Sequence, residues 1–325
     1  MQEASIEVQK IVDNIRKIVK EKSATVAFSG GLDSTLVLNL AERALGKEKL
    51  TAANVDFGLF TYNKARENVQ AISKSLQIKL IIISGESEQV TIMRGGPDCN
   101  LCTKKVKLGL IKRKFKKQII LTGSNQSDSW GKYGIDFQNG YYAPLFPYSK
   151  NEIKIIANYL NIEIKRIGEN NNREGCKLKH LLKPLINIAY HGHAVNKANE
   201  LLLEKIVKSG IYAEKANVKI IGPLSKNIAL INVCPLPEQS WLNEARYQIE
   251  HLGSIEECQI VDHPLELLIK ANKGQFNNLR SRYWLEKGRL QPEFAFPIEV
   301  RWLLTSNRKL KTCQVVDYNK LDISN

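Results

Sequence analysis

Hydrophobic and polar positions alternate between two periods along the first half of the chain. Residues 4–20 carry Ile6, Ile11, Val12, Ile15, Ile18 and Val19 at helical spacing with Lys and Glu between them, which predicts an amphipathic helix. Ala24–Phe28 is a short apolar run that predicts a buried strand, and after Ser29-Gly30-Gly31 an apolar helix runs from Leu32 to Leu40. Leu50–Phe57, Lys79–Ser84 and Ile119–Thr122 read as further strands, with a helix over 62–76. Strands alternating with helices predict an α/β fold with a doubly wound parallel sheet. Ser149 and Glu152 form an S-x-x-E capping box before an amphipathic helix, and another helix is expected from about Val195 to Lys208.

The last third is patterned differently. Val218–Ile221, Ile228–Val233 and Val300–Leu304 suggest strands, whereas 239–251 and 264–272 suggest helices. That order predicts a smaller α+β domain over 212–325 following a first domain over 1–211. His191 and His193 sit around a glycine and read as a loop.

At 325 residues the chain has room for about two cores. No apolar run approaches a membrane span and the N-terminus lacks a signal-peptide h-region, so a cytoplasmic protein without a membrane partner is expected. The formal charge of +15 favours polyanionic partners, unless a lysine-rich proteome alone explains it. Six cysteines in such a chain point to metal or catalytic chemistry rather than disulfides.

Candidate chemistry concentrates in a few stretches. In ATVAFSGGLDST, residues 24–35, a strand, a glycine turn and a helix N-terminus make an anion site. Gly30 and Gly31 allow close backbone approach, Ser29, Ser34 and Thr35 add hydroxyls, and Asp33 beside a phosphate calls for Mg²⁺. The string has neither the Gly-Lys-Ser/Thr ending of a Walker A loop nor a dinucleotide fingerprint. Val55 and Asp56 end the second strand, where a parallel sheet faces its ligand; GSNQSD then places Gly123, Asn125 and Asp128 at the same edge. Cys99 and Cys102 form a C-x-x-C before a helix rich in Lys and Arg, whose apolar side is Val106, Leu110, Ile111 and Phe115. The pair is compatible with redox chemistry, half a zinc site or cluster ligation. Cys176 follows a polar loop, while Cys234, Cys258 and Cys313 have no ligand spacing and read as buried small apolar residues. Residues 275–294 are basic and aromatic, a mixture that suits either a nucleic-acid or phosphate-bearing acceptor or a domain-interface helix with solvated arginines.

SGGLDST resembles the PP-loop of the ATP pyrophosphatases, whose fold is the adenine nucleotide alpha hydrolase-like α/β sheet and whose members adenylate a substrate and release pyrophosphate. With the internal C-x-x-C, the GSN-x-x-D stretch, the P-L then K-x-E-I segment around Lys150, and a later single cysteine, roughly residues 20–210 resemble the sulfur-inserting branch. The pattern is similar to the lactate-racemase-cofactor sulfur transferases (the LarE group) and ExsB-like proteins, and is related to the three-cysteine tRNA thiolases. Those sulfur transferases carry Cys-Leu-Ala-Ser-Arg at the later cysteine, where this chain has Cys176-Lys-Leu-Lys-His. The resemblance implies an ATP-dependent sulfur transferase with Lys150 facing the phosphates and catalytic roles for Asp33, Lys150 and Cys176. An amide-forming adenylating ligase is the alternative. The implied cofactors are ATP, Mg²⁺ and a 4Fe–4S cluster on Cys99, Cys102 and Cys176, with Zn²⁺ on those cysteines plus His180 as the rival and metal-free thiols as a third reading. The implied partners are a small-molecule or tRNA acceptor, a sulfide or persulfide donor, and a second copy in a homodimer. The three sulfurs are expected to converge near the PP-loop.

Overall fold

A computed structural model describes residues 2–127, 137–171 and 174–321. They form two compact units, one of residues 1–85 with 103–166 and one of residues 86–102 with 167–325. The boundary expected at 211 falls inside the second unit. The segments bearing the three candidate cysteines, 86–102 and 167–211, cluster with the C-terminal strands.

The first unit is built on six strands: β1 Ala24–Ala27, β2 Leu50–Asp56, β3 Lys79–Ser84, β4 Ile119–Leu121, β5 Phe137–Gln138 and β6 Tyr141–Tyr142. Their order is β3-β2-β1-β4-β6-β5, parallel throughout except for β5. Val26 of β1 pairs with Ala52 on one side and Leu121 on the other. A strand hydrogen-bonded on both edges and covered on both faces is mostly apolar, and Ala24 and Val26 are fully buried; the one polar residue, Thr25, is buried with its hydroxyl hydrogen-bonded to the Gln118 side chain. The helix Gln2–Val19 buries Val8, Ile11, Val12, Ile15 and Val19, one apolar stripe at helical spacing. The helix Leu32–Leu45 packs Leu36, Val37, Leu38 and Leu40 into the same core. Chain order runs β1, β2, β3 toward one edge and resumes with β4 on the other side of β1. The strand order therefore reverses between β1 and β4, and ligands of such sheets bind at the carboxyl ends of those strands.

The second unit contains two three-stranded sheets. One has β7 Lys215–Ile221, β8 Ile228–Cys234 and β9 Glu257–Ile260 in the order β7-β8-β9; the other has β10 Leu265–Ala271, β11 Ile298–Leu304 and β12 Cys313–Lys320 in the order β11-β10-β12. The helices His193–Ser209 and Gln239–Glu250 accompany them. Residues 264–272, expected as a helix, form β10 instead. Leu265, Leu267, Ile269 and Ala271 are buried at every second position, and the strand is paired on both sides. The strands β9 and β12 have no counterpart in the sequence expectations. His191 and His193 are not in an open loop. His191 lies buried in a π-helical turn, Ile188–Gly192, and His193 opens the helix that follows. No helix among the described residues is long and apolar enough to cross a membrane.

Candidate functional site

The loop after β1 closes on itself through Ser34. The Ser29 amide donates to Ser34 Oγ at 3.2 Å, and that hydroxyl donates to the Gly31 carbonyl at 3.0 Å. Gly31 is the N-cap of the helix Leu32–Leu45 and provides no capping side chain. A helix start without a side-chain cap keeps its first-turn amides for an anion. Gly30 has φ +77, a left-handed conformation that favours glycine, and a Cβ there would lie 3.0 Å from Val69 Cγ2. Gly123, just after β4, comes so close that a Cβ would meet the Ser34 amide nitrogen at 3.0 Å. The two loops at the strand reversal thus enclose one small cradle.

Asp33 is its centre. Asn125, fully buried, donates from Nδ2 to Asp33 Oδ2 at 3.0 Å, and Lys150 forms an ion pair with the same oxygen. Lys150 is placed there by the capping box: Ser149 caps the helix Lys150–Tyr159 while Glu152 accepts from the Ser149 amide at 2.7 Å. The sequence expectation for Asp33, Asn125 and Lys150 therefore becomes one constellation. Asp33 Oδ1 and Thr35 Oγ1 are buried without a hydrogen-bond partner among the described residues. A buried carboxylate oxygen left open beside helix amides fits a hard cation bridging to phosphate oxygens. Val55 is half-buried on β2. Asp56 braces its own loop. Both its oxygens receive Arg66 at 3.1 Å and one accepts the Gly58 amide. Its carboxyl is held below the ordinary range, burial being outweighed by Arg66, Thr61 and Gly58. Asp128 lies outside the described residues.

The cysteines belong to the second unit. Asp98 caps the short helix Cys99–Leu101 by accepting the Leu101 amide, and Cys102 follows one turn after Cys99. Buried Gln89, on the helix Glu86–Met93, directs Nε2 at two sulfurs, Cys176 Sγ at 3.3 Å and Cys102 Sγ at 3.7 Å. Arg289 directs Nη2 at Cys99 Sγ at 3.1 Å and Nη1 at the Pro97 carbonyl at 3.1 Å. Cys102 and Cys176 are thus neighbours around one amide, with Cys99 one helical turn away under a guanidinium. Every cysteine is free of disulfide linkage. Cys258 and Cys313 are buried, and burial pushes their thiols up to about 12 and about 11; Cys234 is half-buried.

His180 does not join the sulfurs. Its Nδ1 lies 2.8 Å from Lys219 Nζ and its Nε2 3.2 Å from Glu169 Oε2. With Lys219 donating to Nδ1, the proton of the neutral ring falls to Nε2, which lies near the carboxylate without completing a hydrogen bond to it. Burial and the lysines hold its pKa well below the ordinary 6.5. Among the described residues, Glu169, His180 and Glu293 are the one His/Cys/Asp/Glu group close enough to share a single ion. That group is already charge-balanced. Lys179 reaches Glu169 at 2.6 Å and Glu293 at 3.1 Å, and Lys219 reaches Glu293 at 3.1 Å. The three cysteines and His180 therefore do not form a zinc set, because a zinc ion needs its ligands around one point and His180 is held in this ion cluster. A 4Fe–4S cluster spreads its ligands over a larger cube. Three thiols beside two sulfur-directed donors, an amide and a guanidinium, suit its anionic core.

The comparisons agree with the cradle. A family model described as a PP-loop domain matches residues 1–140. A stretch of this chain is similar to GMP synthase [glutamine-hydrolyzing] of Aquifex aeolicus, 36% identical over 87 residues, and to the protein of the same description from Lactobacillus johnsonii, 33% identical over 87 residues. Each alignment covers 27% of this chain and 17% of the relative, so the matched stretch spans about a sixth of those proteins. The similar protein of Aliivibrio salmonicida is 31% identical over 91 residues, 28% of this chain and 17% of that one. Sequence reasoning missed Gln89 and Arg289. A glutamine in a helix and an arginine in a basic stretch carry no local mark of a sulfur partner.

Proposed function

We propose that the protein is an ATP pyrophosphatase that adenylates an acceptor and transfers sulfur to the activated carbon. The observation that carries the nucleotide half is the convergence of Asp33, Asn125 and Lys150 on the PP-loop, with one Asp33 oxygen left open. An oxygen of the acceptor attacks the α-phosphate of ATP, the new P–O bond forms, and the α–β bridging bond breaks to release pyrophosphate. The loop amides and Lys150 stabilise the leaving charge, and Ser34 holds the loop shape that aims those amides. Mg²⁺ when bound by Asp33 shields the triphosphate charge. In the second half, a sulfur nucleophile attacks the adenylated carbon and AMP leaves. Cys99, Cys102 and Cys176, with Gln89 and Arg289 hydrogen-bonded to their sulfurs, support that half. A 4Fe–4S cluster on these thiols would supply an open iron that carries exchangeable sulfide.

A second reading is favoured by the relatives, which are described as glutamine-hydrolysing synthases. In it ammonia replaces sulfur and the three cysteines are dispensable. Pyrophosphate release from Mg²⁺-ATP separates the readings when it is measured with bulk tRNA or a low-molecular-weight carboxylate fraction as acceptor, and with ³⁵S-sulfide or ammonia as donor. Label in the acceptor that disappears in Cys102→Ala and Cys176→Ala supports sulfur transfer. Turnover with ammonia, unchanged in both variants, overturns it. The absence of pyrophosphate under every condition overturns the adenylation step as well. Iron content and visible absorption of protein purified without oxygen test the cluster directly.

A further inference from the structure

The end of the β11-β10-β12 sheet carries a surface that neither half of the proposed reaction uses. The turn after β10 and the turn between β11 and β12 enclose an open pocket of about 770 Å³. Lys273, Arg308 and Lys311 line it, together with the Asn272 side chain and the 305–307 turn, and no acidic residue does. None of the three cations forms an ion pair among the described residues. Lys311 Nζ is turned toward the Arg308 carbonyl, at 3.2 Å. Three cations clustered around polar backbone, with no carboxylate to neutralise them, form a site for anionic oxygens.

Two residues past the helix Lys273–Phe276, whose first residue lines the pocket, comes the helix Leu279–Leu285. Its outer face presents Tyr283, 60% exposed, and Trp284, 50% exposed, with Leu279 73% exposed one turn earlier. Aromatic rings with this much surface in water are enriched where a ligand or partner covers them. The inner side of the helix is fixed. Arg282 lies over the Phe276 ring at 5.7 Å and the Trp302 ring at 5.2 Å, Asn278 caps the first turn, and Trp302 is hydrogen-bonded to Glu286. The exposed rings are therefore held on a braced platform, their centroids 6.1 Å apart and edge to face.

We propose that this face binds single-stranded nucleic acid, with backbone phosphates at Lys273, Arg308 and Lys311 and bases stacked on Tyr283 and Trp284. A charged pocket joined by one short turn to a helix with exposed rings offers the combination that single strands use, since every base offers a π-face and every nucleotide a phosphate. A lipid surface is a poorer match. A seven-residue helix offers little apolar area to insert, and the cations lie in a recess rather than along a polar helix face. The chain's net charge of +15 acts in the same direction as the pocket. The face does not depend on the nucleotide chemistry of the first unit.

The test uses the full chain and a fluorescein-labelled oligouridylate of about 12 nucleotides, long enough for one such site, with anisotropy followed from low to moderate salt. Saturable binding is expected, with log affinity falling linearly in log salt. The combined variant Lys273→Gln, Arg308→Gln, Lys311→Gln should reduce that slope by roughly 2, from about 0.7 per phosphate contact on a single strand. Tyr283→Ala and Trp284→Ala should each weaken binding at least about five-fold and leave the slope unchanged. Unfolding midpoints equal to wild type confirm that these surface variants fold. No saturable binding at low salt overturns the proposal, as does binding that all the variants retain. Binding to phosphatidylserine vesicles without binding to the oligonucleotide also overturns it. If the adenylation reading fails instead, pyrophosphate release is absent while oligonucleotide binding persists, in wild type and in Asp33→Asn alike.

Discussion

Glu293→Gln removes one carboxylate from the buried ion cluster and keeps its shape. In the wild type, Glu293 Oε1 faces Lys179 Nζ and Oε2 faces Lys219 Nζ, both at 3.1 Å, and Lys219 is almost entirely buried. Burial alone would raise the Glu293 pKa; Lys219 and Lys179 reverse this and bring it down to about 2 from an ordinary 4.5. A shift of that size corresponds to about 3 kcal/mol of preferential stabilisation of the charged form. Breaking a buried pair on one side costs about 3–5 kcal/mol, because the remaining ammonium groups lose their counter-charge. Both routes give the same order, so the variant should lose about 3–5 kcal/mol near neutral pH. In thermal unfolding that amounts to roughly 10 °C for a unit of this size. The pH dependence has a definite sign. A depressed carboxyl contributes stability above 4.5 and loses it as pH falls toward 2, so the gap between wild type and variant should close over that window. His180, neutral in the fold with its pKa well below 6.5, adds a wild-type loss of stability as pH falls below 6.5. Lys219→Met in the Glu293→Gln background should recover part of the loss, which a double-mutant cycle measures. A loss below about 1 kcal/mol near neutral pH, or no recovery in the double variant, would refute the charge-balance account.

The other predictions concern the two candidate sites. Asp33→Asn should lower pyrophosphate release about 10²–10³-fold with the unfolding midpoint near wild type; release at the wild-type rate removes Asp33 from its assigned role. Ser149→Ala deletes the cap that positions Lys150 and should cost about 1 kcal/mol in urea unfolding, with a value near zero counting against the capping box. Native-state labelling with iodoacetamide at mildly alkaline pH, read by mass spectrometry, should spare Cys258 and Cys313, whose thiols are pushed up to about 12 and about 11, and modify the half-buried Cys234 before either. Rapid labelling of Cys258 would show that its surroundings are open.

What the sequence made legible was mostly local. The strands β1, β2, β3 and β4 are apolar runs bounded by polar turns, and the Ser149–Glu152 box marks a helix start directly. The segment Leu265–Ala271 shows where local reading ends. Its LELLIKA pattern satisfies helical spacing and strand alternation at once. Pairing decides between them: Leu267 lies beside Val300 on one side and Tyr318 on the other, both distant in sequence. The same limit hides β12, because its partner strand reads locally as a helix.

The two sites divide along the same line. Asp33 and Asn125 lie on the segments that follow β1 and β4, and parallel strands deliver such segments to one edge, whereas Lys150 is expected there only through the resemblance of its segment. Gln89 reaches Cys176 across 87 positions and Arg289 reaches Cys99 across 190, and no topological rule joins those segments. The ion cluster joins them physically. Glu169 accepts the amide of Gly175, the residue before Cys176, at 2.8 Å, and is bridged by Lys179 to Glu293, four residues after Arg289. The loop that presents Cys176 and the segment that presents Arg289 are thereby fastened to the same buried charges. Such a cluster is poor at raising stability but specific in geometry, since each charge must find its own counter-charge. Loosening it at Glu169 or Glu293 should therefore disturb the sulfur set before it unfolds the unit, with Gln89 and Arg289 the first to part from their sulfurs.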